Sequence, residues 1–74
     1  MQNIYRTTLI NAQDVVDLVA DYPDVFASPA DKVLEIHNVD AALGFSGYDG
    51  IEVFEDGDTL YLVLEDVEYL LQVA

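Results

Sequence analysis

The stretch "DVVDLVADYPD", Asp14 to Asp24, carries four aspartates at spacings of three, four and three residues, with no lysine or arginine among them. Carboxylates in such a row can bind a cation, act as an acid and base pair, or present negative charge to a positively charged surface. On a helix, like charges three or four residues apart destabilise by roughly 0.2–0.5 kcal/mol per pair, so the row works against its own element. At about 100° per residue, Asp14, Asp17 and Asp21 fall within about 60° of one another, with Val15, Leu18, Val19 and Tyr22 on a separate, core-facing arc. The stripe therefore faces solvent. Seven residues rise about 10 Å, a length over which one strand of B-DNA presents about three phosphates at roughly 3.4 Å per charge. Asp24 extends the row beyond Pro23. An ordinary solvated face mixes both signs of charge, and this one does not.

The same one-sidedness recurs in "IEVFEDGD", where Glu52, Glu55, Asp56 and Asp58 bracket a turn without a cation. If the helix and this hairpin edge lie side by side, two acidic rows cross one surface in the manner of the phosphate rows that line a groove. Between them in sequence stands "GFSGYDG", with glycines at 44, 47 and 50. Its Phe45 and Tyr48, beside Asp49, are candidates for an apolar anchor that confers specificity once charge has steered an encounter.

Catalysis fits these residues poorly. Paired carboxylates serve glycoside hydrolysis only where a cleft desolvates one of them enough to raise its pKa, and a domain of 74 residues has little room for that. His37 is the sole imidazole, there is no cysteine, and Ser28 and Ser46 stand at a helix cap and in a glycine loop, so no nucleophile–base pair is suggested. His37 reads as a helix C-terminal residue facing the dipole. "EDGD" and Tyr48-Asp49-Gly50 superficially resemble calcium loops. An EF-hand, however, needs acids at loop positions 1, 3 and 5, glycine at 6 and glutamate at 12, and the spacing fails. No enzyme, cofactor or metal is expected.

What holds these residues is a chain of one domain, residues 1–74, that buries only about 60% of its unfolded surface. No disulfide or cysteine-based zinc site reinforces it. Its 53% hydrophobic content argues against disorder. Fifteen acids face only Arg6 and Lys32, for a net charge of −13. Self-repulsion at that density destabilises the compact state while favouring solubility. It also repels nucleic acid and anionic membrane, so neither is an expected direct partner, and a basic protein surface is the natural one. The start "MQNIYRTT" lacks a signal peptide's features, and no apolar run approaches the roughly 18–20 residues that span a membrane. A cytoplasmic protein is expected.

The elements follow from periodicity. "NIYRTTLI" alternates as a strand. Asn11 caps a helix over about Ala12 to Asp21, which Pro23 ends. Ser28-Pro29 signals a second helix, with Asp31 in its first turn, running to about His37 and resuming at Val39 to Leu43. The glycine segment reads as a loop. "IEVFEDGDTLYLVLE" reads as two strands around Asp56-Gly57, a turn that supplies a positive φ. In the tail, Val67, Tyr69, Leu71 and Val73 alternate as in a strand, whereas Val67, Leu70, Leu71 and Ala74 fit a helix face; the strand is preferred. The expected fold is α+β, a small antiparallel sheet of three to four strands in β-α-α-β-β-β order with two short helices packed on one face.

Length, charge, the lack of cysteine and rows such as "DVVDLVADYPD" and "FEDGD" together resemble a class of small, highly acidic phage proteins that mimic DNA. The class includes many anti-CRISPR proteins, the uracil-DNA glycosylase inhibitor and anti-restriction proteins. The resemblance implies an inhibitor, acting in the host cytoplasm, that occupies the nucleic-acid site of a basic protein, a CRISPR effector or another DNA-handling enzyme. Two other readings remain open. The Asp, Val and Ala richness also resembles the acidity of proteins from salt-loving archaea, where charge serves solvation. A homodimeric interaction module is the third, with Tyr61, Tyr69, Phe45 and Tyr48 supplying an aromatic patch.

Overall fold

The computed structural model describes residues 4–47 and 50–74. Strand β1 (Tyr5–Thr8) leads into helix α1 (Ala12–Asp21), and strands β2 (Phe26–Ala27) and β3 (Val33–Ile36) follow. Helix α2 (Val39–Gly44) then precedes three consecutive strands, β4 (Ile51–Asp56), β5 (Thr59–Leu64) and β6 (Val67–Val73).

Helix α1 forms where capping and periodicity agree. The Asn11 side chain accepts from the Gln13 amide at 2.9 Å, satisfying one of the free donors at the helix start. Val15 and Leu18 are buried one turn apart. The Tyr22 amide closes the helix on the Leu18 carbonyl, and Pro23 prevents further extension.

The strands form one antiparallel sheet in the order β2-β3-β1-β6-β5-β4, curled into a half-barrel. This corrects the expected sheet of three to four strands with helices on one face: the described residues are mostly sheet, with six strands and two short α-helices. The difference arises in residues 28–37. Ser28 spends its hydroxyl on the Ala30 carbonyl at 2.8 Å rather than on a helix-start amide. Lys32 adopts a φ of 63°, which interrupts any helix between Asp31 and Val33. Beyond it, Thr7 pairs with Leu34 and Tyr5 with Ile36, and both apolar partners are fully buried. Long-range pairing thus outweighs the local Ser-Pro signal. His37 consequently follows a strand rather than ending a helix, and its amide donates to the Val25 carbonyl. Only the second part of the expected helix exists, as α2, which Asn38 caps by accepting from the Ala41 amide at 3.2 Å.

Both hairpins among β4, β5 and β6 have two-residue loops, between the paired Asp56 and Thr59 and between the paired Leu64 and Val67. Alternation places Ile51, Val53, Leu60, Leu62, Leu64, Tyr69 and Leu71 on the inner face, where they join Phe26, Leu34 and Ile36. Val15 and Leu18 of α1 and Ala42 of α2 close the core. Among the described residues no helix is long and apolar enough to cross a membrane.

Candidate functional site

Helix α1 presents Asp14, Asp17 and Asp21 along one wall of a cleft of about 490 Å³. The opposing wall comes from the start of β4, the end of β5 and the β5–β6 turn, and it carries Glu52, Glu65 and Asp66. Leu18, Tyr22, Ile51 and Leu64 supply apolar surface between the two rows. No lysine, arginine or histidine is among the lining residues. The acidic helix and a second acidic row therefore border one concave surface, with the second row drawn mainly from an unexpected place.

That place is the β5–β6 turn. Glu65 and Asp66 have φ values of 49° and 68°, so both loop residues are left-handed, as a type I′ hairpin requires. The type I′ turn favours Asn-Gly, because the left-handed region costs an ordinary L-residue roughly 1–2 kcal/mol. Here two acids occupy it. The signal for this turn was two polar residues between alternating runs, "TLYLVL" and "VEYLLQV", but it becomes visible only once the tail is taken as a strand.

Among the described residues the carboxylates of the cleft have no cationic partner. The ion pairs among the described residues both belong to Glu35, which Arg6 and His37 grip from two sides. Asp17 accepts a hydrogen bond from Gln13 Nε2 at 3.0 Å, a neutral partner within the same helix. Among the described residues no three His, Cys, Asp or Glu side chains converge closely enough to hold a metal ion. The acids are spread along two walls rather than gathered at a point.

Glu35 is the contrasting case. Its side chain is on a buried residue of β3, cross-strand from Arg6. Arg6 Nε donates to Oε2 at 2.8 Å with Nη2 on the same oxygen, and His37 Nε2 lies 3.2 Å from Oε1. The Arg6 hydrogen bonds hold the Glu35 carboxyl below the usual carboxylate range; burial pushes the other way, and His37 adds to the lowering.

The remaining candidates disperse. Glu55, Asp56 and Asp58 stand at the exposed tip of the β4–β5 hairpin, and Asp24 in the turn after α1; none lines the cleft. Glu52 faces outward opposite Val63 and reaches the cleft at its rim. Phe45 is half-buried, stacked on Tyr22 at 4.4 Å between centroids and edge-on to Phe26 at 6.0 Å, so its ring belongs to the core margin. Tyr48 and Asp49 lie outside the described residues. The aromatic patch is not assembled from its described members either, since Tyr69 is buried within the core and Tyr61 stacks on Phe54.

Compared with known protein families, with curated proteins and with solved structures, the chain matches none, so its site is read from its own geometry.

Proposed function

We propose that the protein is an acidic DNA mimic, an inhibitor that occupies the nucleic-acid-binding site of a basic protein such as a CRISPR effector or another DNA-handling enzyme. The observation that carries this reading is the cleft: three aspartates on α1 border it together with Glu52, Glu65 and Asp66, with no cation among the lining residues. Carboxylates spread along two walls suit a surface that bears several lysines and arginines. Such a partner already spaces its charges to hold successive phosphates. Docking would replace phosphate contacts by carboxylate contacts, with charge-assisted hydrogen bonds at each pair. The net charge of −13 would steer the approach.

The test is capture from a bacterial lysate on the immobilised protein, followed by competition. The expected result is a retained basic protein that binds DNA or RNA and that added nucleic acid displaces. Affinity should fall steeply as salt rises from about 50 to 500 mM, because the Debye length shrinks from over 10 Å to about 4 Å. A retained partner whose binding ignores both salt and nucleic acid overturns the proposal.

A further inference from the structure

Strand β4 stands at one end of the sheet, with no strand beyond it among the described residues. Because Asp56 and Thr59 flank a two-residue loop, Glu52, Phe54 and Asp56 exchange backbone bonds with β5, while Ile51, Val53 and Glu55 turn theirs outward. Two bonds show this polarity directly: the Gly47 amide donates to the Ile51 carbonyl, and the Val53 amide donates to Ser46 Oγ at 2.8 Å. The turn after α2 thus covers the first half of the edge. Beyond it, the Val53 carbonyl and the Glu55 amide and carbonyl have no partner among the described residues. Phe54 lies beside them on the outer face, 42% exposed and stacked on Tyr61 at 5.1 Å.

An open edge is a template for another strand, and its side chains decide which. Every charge along this one is negative: Glu52, Glu55, Asp56 and Asp58. Pairing of β4 with a second copy would bring these acids against their own counterparts, a destabilising arrangement across strands. The same charges favour a basic strand.

We propose that the β4 edge accepts an extended, basic segment of another protein by strand addition between Val53 and Glu55. The three outward backbone groups pair with the segment, an apolar side chain of it rests on Phe54 on the outer face, and the lysines or arginines that alternate with it stand on the other face, beside Glu55. The site does not involve α1 or the cleft, and it stands whether or not the cleft mimics DNA.

The test uses the full chain and a capped peptide, Lys-Val-Lys-Phe-Lys-Val-Lys, with a control peptide of equal charge in which proline replaces every second residue. By amide-resolved NMR, saturation with the first peptide is expected to slow solvent exchange of the Glu55 amide about tenfold, whereas the proline peptide leaves it unchanged. E55P, which deletes one outward donor at an edge position that tolerates proline, is expected to weaken binding about tenfold, the size of one hydrogen bond. E55Q, which keeps the amide and loses the charge, should weaken it only about two- to threefold. Should E55P not fold, the comparison of the two peptides on the parent protein decides. Unchanged Glu55 exchange at saturation, no binding of the alternating peptide, equal protection by the proline peptide, or undiminished binding by folded E55P overturns the proposal.

Discussion

Glu35 sits buried on β3 with Arg6 and His37 against its two oxygens, whereas Asp14, Asp17, Asp21, Glu65 and Asp66 border the cleft with no cation among its lining residues. The chain has only two basic residues besides its histidine, Arg6 and Lys32. Among the described residues, folding commits the first to the one acid it buries, and Lys32 forms no ion pair. A buried carboxylate without a partner would carry a large desolvation penalty, so charge is balanced where burial demands it. Around the cleft nothing demands it. Repulsion there is tolerated, and at Glu65 and Asp66 it is accompanied by left-handed backbone that neither residue favours. Acids that cost the fold something and find no cationic partner among the described residues are what the proposed recognition role needs.

The largest effect separates the two groups by sign. Replacing Asp14, Asp17 and Asp21 together with asparagine should relieve about 0.2–0.5 kcal/mol of repulsion per pair and so raise the melting temperature slightly at low salt. The gain is partly offset because Asp14, in the first turn, loses a favourable interaction with the helix dipole. Binding should change in the opposite direction, with each carboxylate contributing about 1–3 kcal/mol against a desolvated basic groove. Measuring the dissociation constant for the captured partner beside the melting temperature tests both. A triple variant that binds as tightly as the parent reduces the stripe to a solvated face.

Glu35→Gln should do the reverse, lowering stability by about 1–3 kcal/mol at neutral pH through lost charge-assisted bonds, with partner binding unchanged. Its pH dependence has a definite sign. The folded-state pKa of Glu35 lies below its unfolded value, so its stabilisation is fully present above the unfolded pKa and is lost as pH falls through the folded one. The gap in unfolding free energy between parent and Glu35→Gln should therefore close in acid. Meanwhile both proteins gain from neutralising the other acids, whose mutual repulsion fades. Denaturant unfolding at stepped pH checks this, and a gap that stays constant into strong acid would show that Glu35 acts by packing alone.

Most of what positions the cleft was readable where local signals were unopposed. Asn11, the apolar spacing through Tyr22 and Pro23 agree on α1, and the structure has that helix with the expected bounds. Asp56-Gly57 marked the β4–β5 hairpin; Asp56 is the last residue of β4 and the loop is Gly57-Asp58, one residue on, with Gly57 at a positive φ of 62°. Residues 28–37 were misread because Ser28-Pro29 is a local helix signal, while Leu34 and Ile36 answer to β1 and the core, contacts about 30 residues away in sequence. The acidic stripe on α1 could be seen from periodicity alone. Its opposite wall could not: the tail reads as a strand and is one, but the adjacency of Glu65 and Asp66 to α1 depends on the curl of the sheet, which alternation does not encode. The stacking of Phe45 on Tyr22 was hidden for the same reason: ring contacts between separate elements leave no periodic trace.

The smallest effect is the most diagnostic of why acids occupy the β5–β6 turn. Replacing Glu65 with asparagine and Asp66 with glycine installs the residues that a two-residue loop with both φ values positive prefers. Relief of left-handed strain should stabilise the protein by about 1 kcal/mol, after allowance for the greater freedom of glycine in the unfolded chain. That corresponds to a rise of roughly 4–8 °C in melting temperature for a domain of this size. The β4–β5 loop supplies the control in the other direction. A Cβ added at Gly57 meets nothing within 4 Å, so Gly57→Ala should lose about 1 kcal/mol through its positive φ alone. The two turns should thus respond with opposite signs, one relieved and one strained. If the Asn-Gly turn stabilises the fold and also weakens partner binding, Glu65 and Asp66 are held against conformational preference for recognition. If it stabilises the fold and leaves binding intact, the recognising surface is confined to the α1 wall, and the acids of the turn contribute only to the long-range field.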